Sequence, residues 1–402
     1  MVLSRVSQAV AVGCALLILA TSVVADQVRV PEDFSTLQAA VNAAQPGDVI
    51  IVTGGVHPPV VINKALTLVG DWSDRPVIRP ASPGEETNPF VQDAAVTLAG
   101  PGSGTVTLSM FELAGTADAS YFGTAGQALS GGGFSEVRVV HCELVAPSWF
   151  QPTGIGLAPH AIALDGDVGW LLVSQSTVIG GEGTYDAAPS GPLTLPSGGD
   201  GIRAPSTSVT VVDSFVRGGD GMDVVYNGGI YAPTGCDDVS GGLGGRGVVA
   251  SALHHAASQL MGGDGAELNV FSPLGGLFYL CTRPSGAAIA GMSDVVDLPG
   301  TLFGSGAMVS GSTWTLTWFA SSPSVLLVLS PALVPPLDVG SKGLLFMDPN
   351  QLFFIALPGA GLMNTSFPVP ADMSLLGWPL ALQIYDAQVG LTRPVYSSFV
   401  PY

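Results

Sequence analysis

The chain has 402 residues and a formal net charge of −19, with 47% hydrophobic and only 11% charged residues. This excess of acidic side chains excludes nucleic acid as a partner, because phosphates are neutralised by Lys and Arg. Apolar content this high excludes a disordered chain, and the 54 Gly and 31 Pro favour short strands joined by turns.

Residues 1–25 have the pattern of a secretory signal peptide. Arg5 supplies a positive start, residues 9–20 form an apolar stretch, and Val23-Val24-Ala25 precedes a cleavage point before Asp26. The apolar stretch is shorter than the roughly 20 residues of a membrane-spanning helix. We therefore expect a secreted protein, extracellular or at the cell surface, with no transmembrane segment in the mature chain. An uncleaved N-terminal anchor is the alternative.

The first predicted helix begins near Ser35 and ends before Pro46-Gly47. Ser35 followed three residues later by Gln38 fits a capping box. Apolar residues recur on one helical face, at Leu37, Ala40, Val41 and Ala44. Strands are predicted next, over residues 48–52 and 66–70. We expect the helix to cover the open end of these strands, which otherwise exposes an unpaired edge and an apolar cross-section.

Three later stretches end alike, each with a short apolar strand before a Gly-Gly-acid-Gly turn: residues 177–183, 215–221 and 259–265. They recur at offsets of 38 and 44 residues. Residues 139–144 align without gaps with 211–216, and residues 108–113 lie 31 positions earlier. Repeats of roughly 20–50 residues are typical of solenoids, whose units bury their apolar faces by stacking. The pattern predicts an all-β fold built as a parallel β-helix.

The segment from Phe34 to Ile50 supports this prediction. Its Phe-x-Thr-Leu-Gln-x-Ala helix before Pro46-Gly47-Asp48 resembles the N-terminal cap of secreted right-handed parallel β-helix proteins of the pectin-lyase-like superfamily. With the repeats, the resemblance covers about residues 26–268. It implies a right-handed parallel β-helix (a solenoid) with an N-terminal capping helix. It implies no activity, because this fold carries lyases, hydrolases, adhesins and inert surface proteins.

From residue 269 to 402 the repeats stop. Evenly spaced strands follow, such as residues 313–318, 324–329 and 380–385, and they predict a small β-sandwich. Residues 343–349 and 370–388 resemble C-terminal β-domains of secreted planctomycete-like bacterial proteins. The predicted organisation is therefore a signal peptide over 1–25, a β-helix over 26–268 and a C-terminal β-sandwich-like domain over 269–402.

The glycine turns are candidates for a Ca²⁺ site. Residues 218–225 match the Gly-Gly-x-Gly-x-Asp-x-apolar pattern of calcium-binding β-rolls, and residues 262–267 repeat it with Glu for Asp. Ca²⁺ takes six to eight oxygen ligands, and stacked turns would align the acids. The predicted ligands are Asp220, Asp223, Asp264 and Glu267. Since β-rolls repeat every nine residues in tandem, plain glycine turns with solvated acids are the alternative.

Catalytic signatures are sparse. Galacturonan hydrolases of the superfamily carry Asn-Thr-Asp, Asp-Asp, His-Gly and Arg-Ile-Lys, of which only Asp237-Asp238 has a counterpart. Asp213 could add a second carboxylate, since glycoside hydrolysis needs two about 5–9.5 Å apart, and Arg217 is a candidate base for a lyase. We expect a non-catalytic protein that binds a neutral polysaccharide or a cell-surface component, or has a structural role. A polysaccharide lyase or glycoside hydrolase is the alternative.

Cysteine and histidine add little. After the signal, Cys142, Cys236 and Cys281 remain, an odd number that cannot all pair within the chain. Cys142 lies at an inward repeat position and is predicted to be a small core residue. A disulfide between Cys236 and Cys281 is possible, and the sequence alone does not decide whether it forms. The histidines at 141, 160, 254 and 255 lack the spacing of a metal motif.

Overall fold

The computed structural model describes residues 26–80, 94–115, 126–150, 158–184, 193–227, 239–271, 277–290, 294–297, 302–304, 308–331, 333–342, 344–359, 361–371, 375–377, 379–392 and 394–400. The chain is mostly β, with 52% strand and 5% helix, which confirms the all-β prediction. The predicted signal peptide (1–25) and Cys236, Asp237 and Asp238 lie outside the described residues.

The chain divides into two compact units, one mainly Ile50–Leu298 and the other mainly Pro299–Phe399. We call them the parallel unit and the C-terminal unit. The boundary predicted between residues 268 and 269 stays a prediction. No helix among the described residues is long and apolar enough to cross a membrane.

The α-helix runs over Leu37–Ala43, and its N-cap is Thr36, whose hydroxyl accepts a hydrogen bond from the Ala39 N–H at 3.2 Å. The predicted capping box on Ser35 was therefore wrong. Gln38 is used elsewhere: its side chain donates to the carbonyl of Val61 at 3.2 Å and accepts from the Val61 N–H at 2.8 Å. Because the strand Val60–Ile62 ends its sheet, this amide covers a strand edge.

The cap assignment predicts different effects for two adjacent hydroxyls. Thr36→Ala should lower the free energy of unfolding by about 1 kcal/mol, because the Ala39 N–H loses its acceptor. Ser35→Ala should be nearly neutral. Urea denaturation of both variants measures the difference, and an equal loss in both would contradict the assignment.

Three columns of strands, almost all paired in parallel, build the parallel unit, and successive repeats add one strand to each. Column 1 contains Val60–Ile62, Val96–Ala99, Leu129–Gly132, Ile162–Leu164, the first parts of Ile202–Val212 and Val248–Ala256, and Ile289–Ala290. Column 2 contains Gln27–Val30, Val49–Val52, Thr67–Gly70, Thr105–Ser109, Glu136–Val140, Trp170–Ser174, the second parts of Ile202–Val212 and Val248–Ala256, and Asp294–Asp297. Column 3 contains Val56–His57, Val77–Ile78, Glu112–Ala114, Glu143–Val145, Thr177–Ile179, Phe215–Arg217 and Gln259–Met261.

The strand register confirms the repeats read from the sequence. Val139 pairs with Leu108 on one side and Val173 on the other, and Val173 pairs with Val211. These side chains are fully buried in one continuous apolar core. Cys142 is also buried there, as predicted for a small core residue.

Shorter strands pair outside the columns. Three parallel pairs join Trp149–Phe150 to Gly183–Thr184, Leu193–Leu195 to Val239–Gly241, and Val224–Asn227 to Glu267–Phe271. Leu277–Thr282 then pairs antiparallel with Glu267–Phe271. These pairs extend the stacking into the segments between column 3 and column 1.

The C-terminal unit is antiparallel. One sheet contains Leu302–Gly304, Thr313–Ala320 and Gly361–Pro368. A second contains Met308–Val309, Ser324–Ser330, Phe353–Pro358, Pro379–Asp386, Gly390–Leu391 and Val395–Val400. Leu333–Asp338 pairs with Leu344–Met347, and short 3-10 helices cover Gly340–Lys342 and Pro349–Gln351. The three strands predicted here are confirmed, and the buried Trp314 and Trp318 help form a core of their own.

Candidate functional site

Glycine-rich backbone lines the place where the chain leaves column 3 and returns to column 1. The pattern Gly-Gly-x-Gly with a charged third residue recurs at residues 180–183, 198–201, 218–221, 244–247 and 262–265. The first, third and last of these follow column 3 strands, as predicted. The other two, 198–201 and 244–247, precede column 1 strands and were not recognised in the sequence.

The second glycines of these motifs form one row that we call the glycine seam: Gly181, Gly199, Gly219, Gly245, Gly263 and, beyond the motifs, Gly286. From Gly199 onward, each N–H donates to the carbonyl of the preceding member at 2.7–2.8 Å. A Cβ built on Gly219 would lie 1.9 Å from the Gly181 oxygen, and one on Gly245 would lie 2.0 Å from the Gly199 oxygen. Space, and not an unusual φ, requires glycine here.

The third position of the motif carries the charged side chains, and two of them pair beside the seam. Asp200 is 4% exposed and is held by Arg246. The Arg246 backbone N–H and Nε donate to Asp200 Oδ1 at 2.9 and 3.0 Å, and Nη2 donates to Oδ2 at 3.0 Å. Arg203 Nη1 adds a fourth bond to Oδ2 at 3.3 Å. A carboxylate offers about four acceptor positions, so Asp200 is saturated.

These contacts change the acidity of the pair. Burial by itself raises the pKa of the Asp200 carboxyl, but the hydrogen bonds from Arg246 outweigh it and the pKa is lowered. The same hydrogen bonds raise the pKa of the Arg246 guanidinium. Both groups are therefore held in their charged forms.

His160 lies against the same carboxylate. Its Nδ1 accepts a hydrogen bond from the Asp200 backbone N–H at 2.8 Å. Burial lowers the pKa of the imidazole, which keeps it neutral near pH 7. A neutral ring that accepts at Nδ1 carries its proton on Nε2. His160 therefore presents an N–H donor at Nε2.

These residues line a groove of about 460 Å³, together with Ser197, Leu243, Ser285 and backbone of the glycine-rich turns. Arg203, which also bonds Asp200, is not one of the lining residues. Among the residues that line the groove, the guanidinium of Arg246 balances the carboxylate of Asp200, and His160 is neutral. The site is locally uncharged in a chain whose net charge is −19.

The structure brings the predicted Ca²⁺ ligands together in pairs. Asp220 Oδ1 accepts from the Asp264 N–H at 2.6 Å, and Asp223 Oδ1 accepts from the Glu267 N–H at 2.6 Å. Arg217 Nη2 donates to both oxygens of Asp220, at 2.6 and 2.8 Å, and lies 3.7 Å from Asp264. The guanidinium is thus a counter-ion for the stacked acids.

Within the described ranges, no group of three or more His, Cys, Asp or Glu is arranged to hold a metal. The Ca²⁺ site stays a prediction, and an ion there would share Asp220 with Arg217. Of the catalytic candidates, Asp213 precedes the strand Phe215–Arg217, and Arg217 ends it and binds Asp220. Asp237 and Asp238 lie outside the described residues.

Asp200 and His160 were missed as a pair because 40 positions separate them in the chain. The available signal was the motif itself, since Gly-Gly-Asp-Gly at 198–201 and Gly-Gly-Arg-Gly at 244–247 place opposite charges at one repeat position. Comparison of the chain with protein-family models, with curated proteins and with solved structures found no match.

Proposed function

We propose that this protein is a secreted or cell-surface protein that binds neutral polysaccharide, without catalysis, in the groove beside Asp200 and Arg246. On this proposal the parallel unit is a right-handed parallel β-helix of the pectin-lyase-like type, and the C-terminal unit is a β-sandwich. The three columns of parallel strands support the fold assignment. The engagement of every acid–base group in the groove supports binding over catalysis.

His160 is unsuited to act as a general base. Its Nδ1 lone pair is occupied by the Asp200 N–H, and its Nε2 carries the proton. Activating a nucleophile or a sugar hydroxyl needs a free basic nitrogen within hydrogen-bond reach. The ring instead offers one oriented donor, which suits a hydroxyl or ring oxygen of a sugar.

The charged pair is equally unsuited to proton transfer. A general acid in glycoside hydrolysis needs a raised carboxyl pKa, whereas the pKa of Asp200 is lowered. A lyase base needs a guanidinium with a lowered pKa, whereas that of Arg246 is raised. Both side chains are better read as fixed parts of a binding surface.

The charge balance of the groove favours an uncharged ligand. The net charge of −19 repels polyanions over a distance. Within the groove, Ser285 is exposed, and the Ser197 hydroxyl accepts from the Leu243 N–H at 3.1 Å. Oriented donors and hydroxyls around a concave surface match the chemistry of a neutral glycan.

Binding of neutral polysaccharides by the full mature chain tests this proposal. His160→Phe and Arg246→Lys should each weaken binding about tenfold, because each removes an oriented donor and tenfold corresponds to about 1.4 kcal/mol. Arg79→Lys, an exposed arginine after the strand Val77–Ile78, is the matched control and should bind as the wild type. Calorimetric titration measures the affinities, and melting curves confirm that each variant is folded.

Reducing ends and unsaturated products, measured on the same polysaccharides, separate binding from catalysis. We expect neither to accumulate. Turnover that disappears in Asp213→Asn or in Asp237→Asn with Asp238→Asn would overturn the non-catalytic proposal and establish a hydrolase or lyase. Unchanged affinity in both groove variants would remove the groove from the binding site.

A further inference from the structure

A row of turns, three of them with a polar first residue, runs along another edge of the parallel unit, between columns 2 and 3. Each connection is a two-residue turn whose first residue has a positive φ, between 46° and 68°: Met110, His141, Gln175, Asp213 and Ala257. The N–H of each of the first four bonds the next repeat, as in His141 to the Ser174 carbonyl at 3.0 Å. Neighbouring strands lie about 4.8 Å apart, so the side chains form a ladder with that spacing.

One repeat interrupts this edge with a longer loop. Between the strands Thr67–Gly70 and Val77–Ile78 the connection holds Trp72. Asp71 Oδ1 accepts from the N–H and the hydroxyl of Ser73, both at 2.8 Å, which closes a tight turn around Trp72. The indole is 44% exposed although it meets His141 edge to face, with 6.3 Å between the ring centroids.

The surroundings of Trp72 are polar, with the acidic Asp71 and Asp74 on either side of it in the loop. Burial, assisted by Arg75, lowers the pKa of His141 to about 4, so the ring is neutral. Its Nε2 is buried and has no hydrogen-bond partner among the described residues. Arg75 pairs with Glu143 at 3.8 Å. Trp72 is thus an exposed aromatic surface at one end of this row of turns, in which Met110 and His141 are buried.

We propose that Trp72 and the turns at Gln175 and Asp213 form a second binding strip, which holds a linear neutral oligosaccharide along the stacking direction of the columns. The exposed indole packs against the apolar face of one sugar ring. Beyond it, the half-buried Gln175 and Asp213, which lie in adjacent repeats, supply polar groups to the following hydroxyls. This inference rests on the proposed function only for the class of ligand.

The chemistry of the strip favours a sugar over a protein partner. Protein interfaces have a core depleted in charge and surrounded by a polar rim, whereas Trp72 has charged and polar neighbours on the same surface. Phe215, half-buried beside Asp213, gives the strip a second aromatic ring at its far end. An aromatic face can pack against the C–H groups of a sugar, and the flanking polar groups can form hydrogen bonds with its hydroxyls.

Tryptophan fluorescence gives a direct test. Of the tryptophans with described side chains, Trp170, Trp314 and Trp318 are at most 3% exposed, so the difference in acrylamide quenching between wild type and Trp72→Phe reports Trp72. Cello-, xylo-, manno- and maltohexaose are titrated into the full mature chain. At least one should shield Trp72 from acrylamide, and Trp72→Ala should lower its affinity about tenfold, with Trp72→Phe intermediate.

The outcomes separate the strip from the groove. The strip proposal is overturned if Trp72 stays equally quenchable with every hexaose, or if Trp72→Ala leaves the affinity unchanged. This holds whatever result the groove variants give. If Trp72 is shielded while His160→Phe and Arg246→Lys bind as the wild type, the strip stands and the groove proposal fails. If calorimetry and quenching detect no binding of any hexaose, the strip proposal is overturned. The groove proposal is then tested by the binding of polysaccharides.

Discussion

Gly219→Ala is expected to lower the free energy of unfolding of the parallel unit by more than about 4 kcal/mol, or to prevent folding. A Cβ at this position would lie 1.9 Å from the Gly181 oxygen and 2.4 Å from its carbonyl carbon. Both are backbone atoms, so no side-chain rotation relieves the overlap. Gly219 also donates to Gly199 and accepts from Gly245, so displacing it opens hydrogen bonds on both sides.

Gly166→Ala is the matched control. Gly166 has a φ of +79° but no atom within 4 Å of a built Cβ, so alanine there meets only the left-handed backbone penalty of about 1–2 kcal/mol. Urea denaturation followed by fluorescence, with near-ultraviolet circular dichroism for native packing, compares the two. If Gly219→Ala cost no more than Gly166→Ala, the seam would not be the tight structure described.

The register of the repeats could be predicted from the sequence because it rests on local patterns. A short β-branched strand followed by a fixed turn recurs in each repeat, and stacking then aligns Val139 with Leu108 and Val211. The same argument brought Asp220 and Asp264 next to each other. Alignment of the repeats cannot predict that Arg217 neutralises these acids, because this contact depends on the direction of the Arg217 side chain at the end of its strand.

The groove was missed for a different reason. Asp200 and Arg246 precede column 1 strands, and their glycine motifs interleave with those that follow column 3 strands. Because the two sets of motifs alternate along the chain, their spacings do not combine into one regular repeat length that the sequence would reveal. The prediction of the helix cap was wrong for a local reason. Ser35 and Thr36 are adjacent and both are good N-cap residues, and the Gln38 side chain bonds the edge of the strand Val60–Ile62 instead of the helix N-terminus.

The seam also explains where the charged groups of the groove come from. Along the seam the second glycine of each motif admits no side chain, and the charged side chain of each motif stands at the third position. Asp200 and Arg246 occupy that position in successive repeats and therefore meet with opposite charge. The close packing of the turns thus requires glycine at the second position and also brings the charged pair together. The groove follows from the way in which the chain closes each repeat.

Asp386 is expected to make the C-terminal unit sensitive to acid. The side chain is 2% exposed. Its Oδ2 accepts from the N–H groups of Ser321 and Ser322 at 2.7 and 3.0 Å. Its Oδ1 accepts from the Gln388 N–H at 2.8 Å and from the Ser322 hydroxyl. Burial alone raises the pKa of this carboxyl, but the hydrogen bonds outweigh it and lower the pKa from 3.8 to about 2.

A carboxyl whose pKa is lower in the folded state stabilises that state above its unfolded pKa, and the stabilisation is lost as pH falls through the folded pKa. For Asp386 the loss should occur between pH 3.8 and about 2, and it should amount to roughly 2 kcal/mol. Asp386→Asn should remove this part of the pH dependence. It should also destabilise the unit by about 2 kcal/mol at pH 7, because an amide nitrogen then faces N–H donors.

Urea denaturation at pH 7 and pH 2.5, followed by the fluorescence of the buried Trp314 and Trp318, measures both effects. Asp338→Asn is the control, because this carboxylate is exposed and Gly340 donates a single backbone N–H to it at 2.7 Å. It should change stability by less than about 0.5 kcal/mol and keep the acid sensitivity of the wild type. If Asp386→Asn kept that sensitivity too, the acid-labile group would have to be another carboxylate of the unit, since the four bonds to Asp386 could not then be its source.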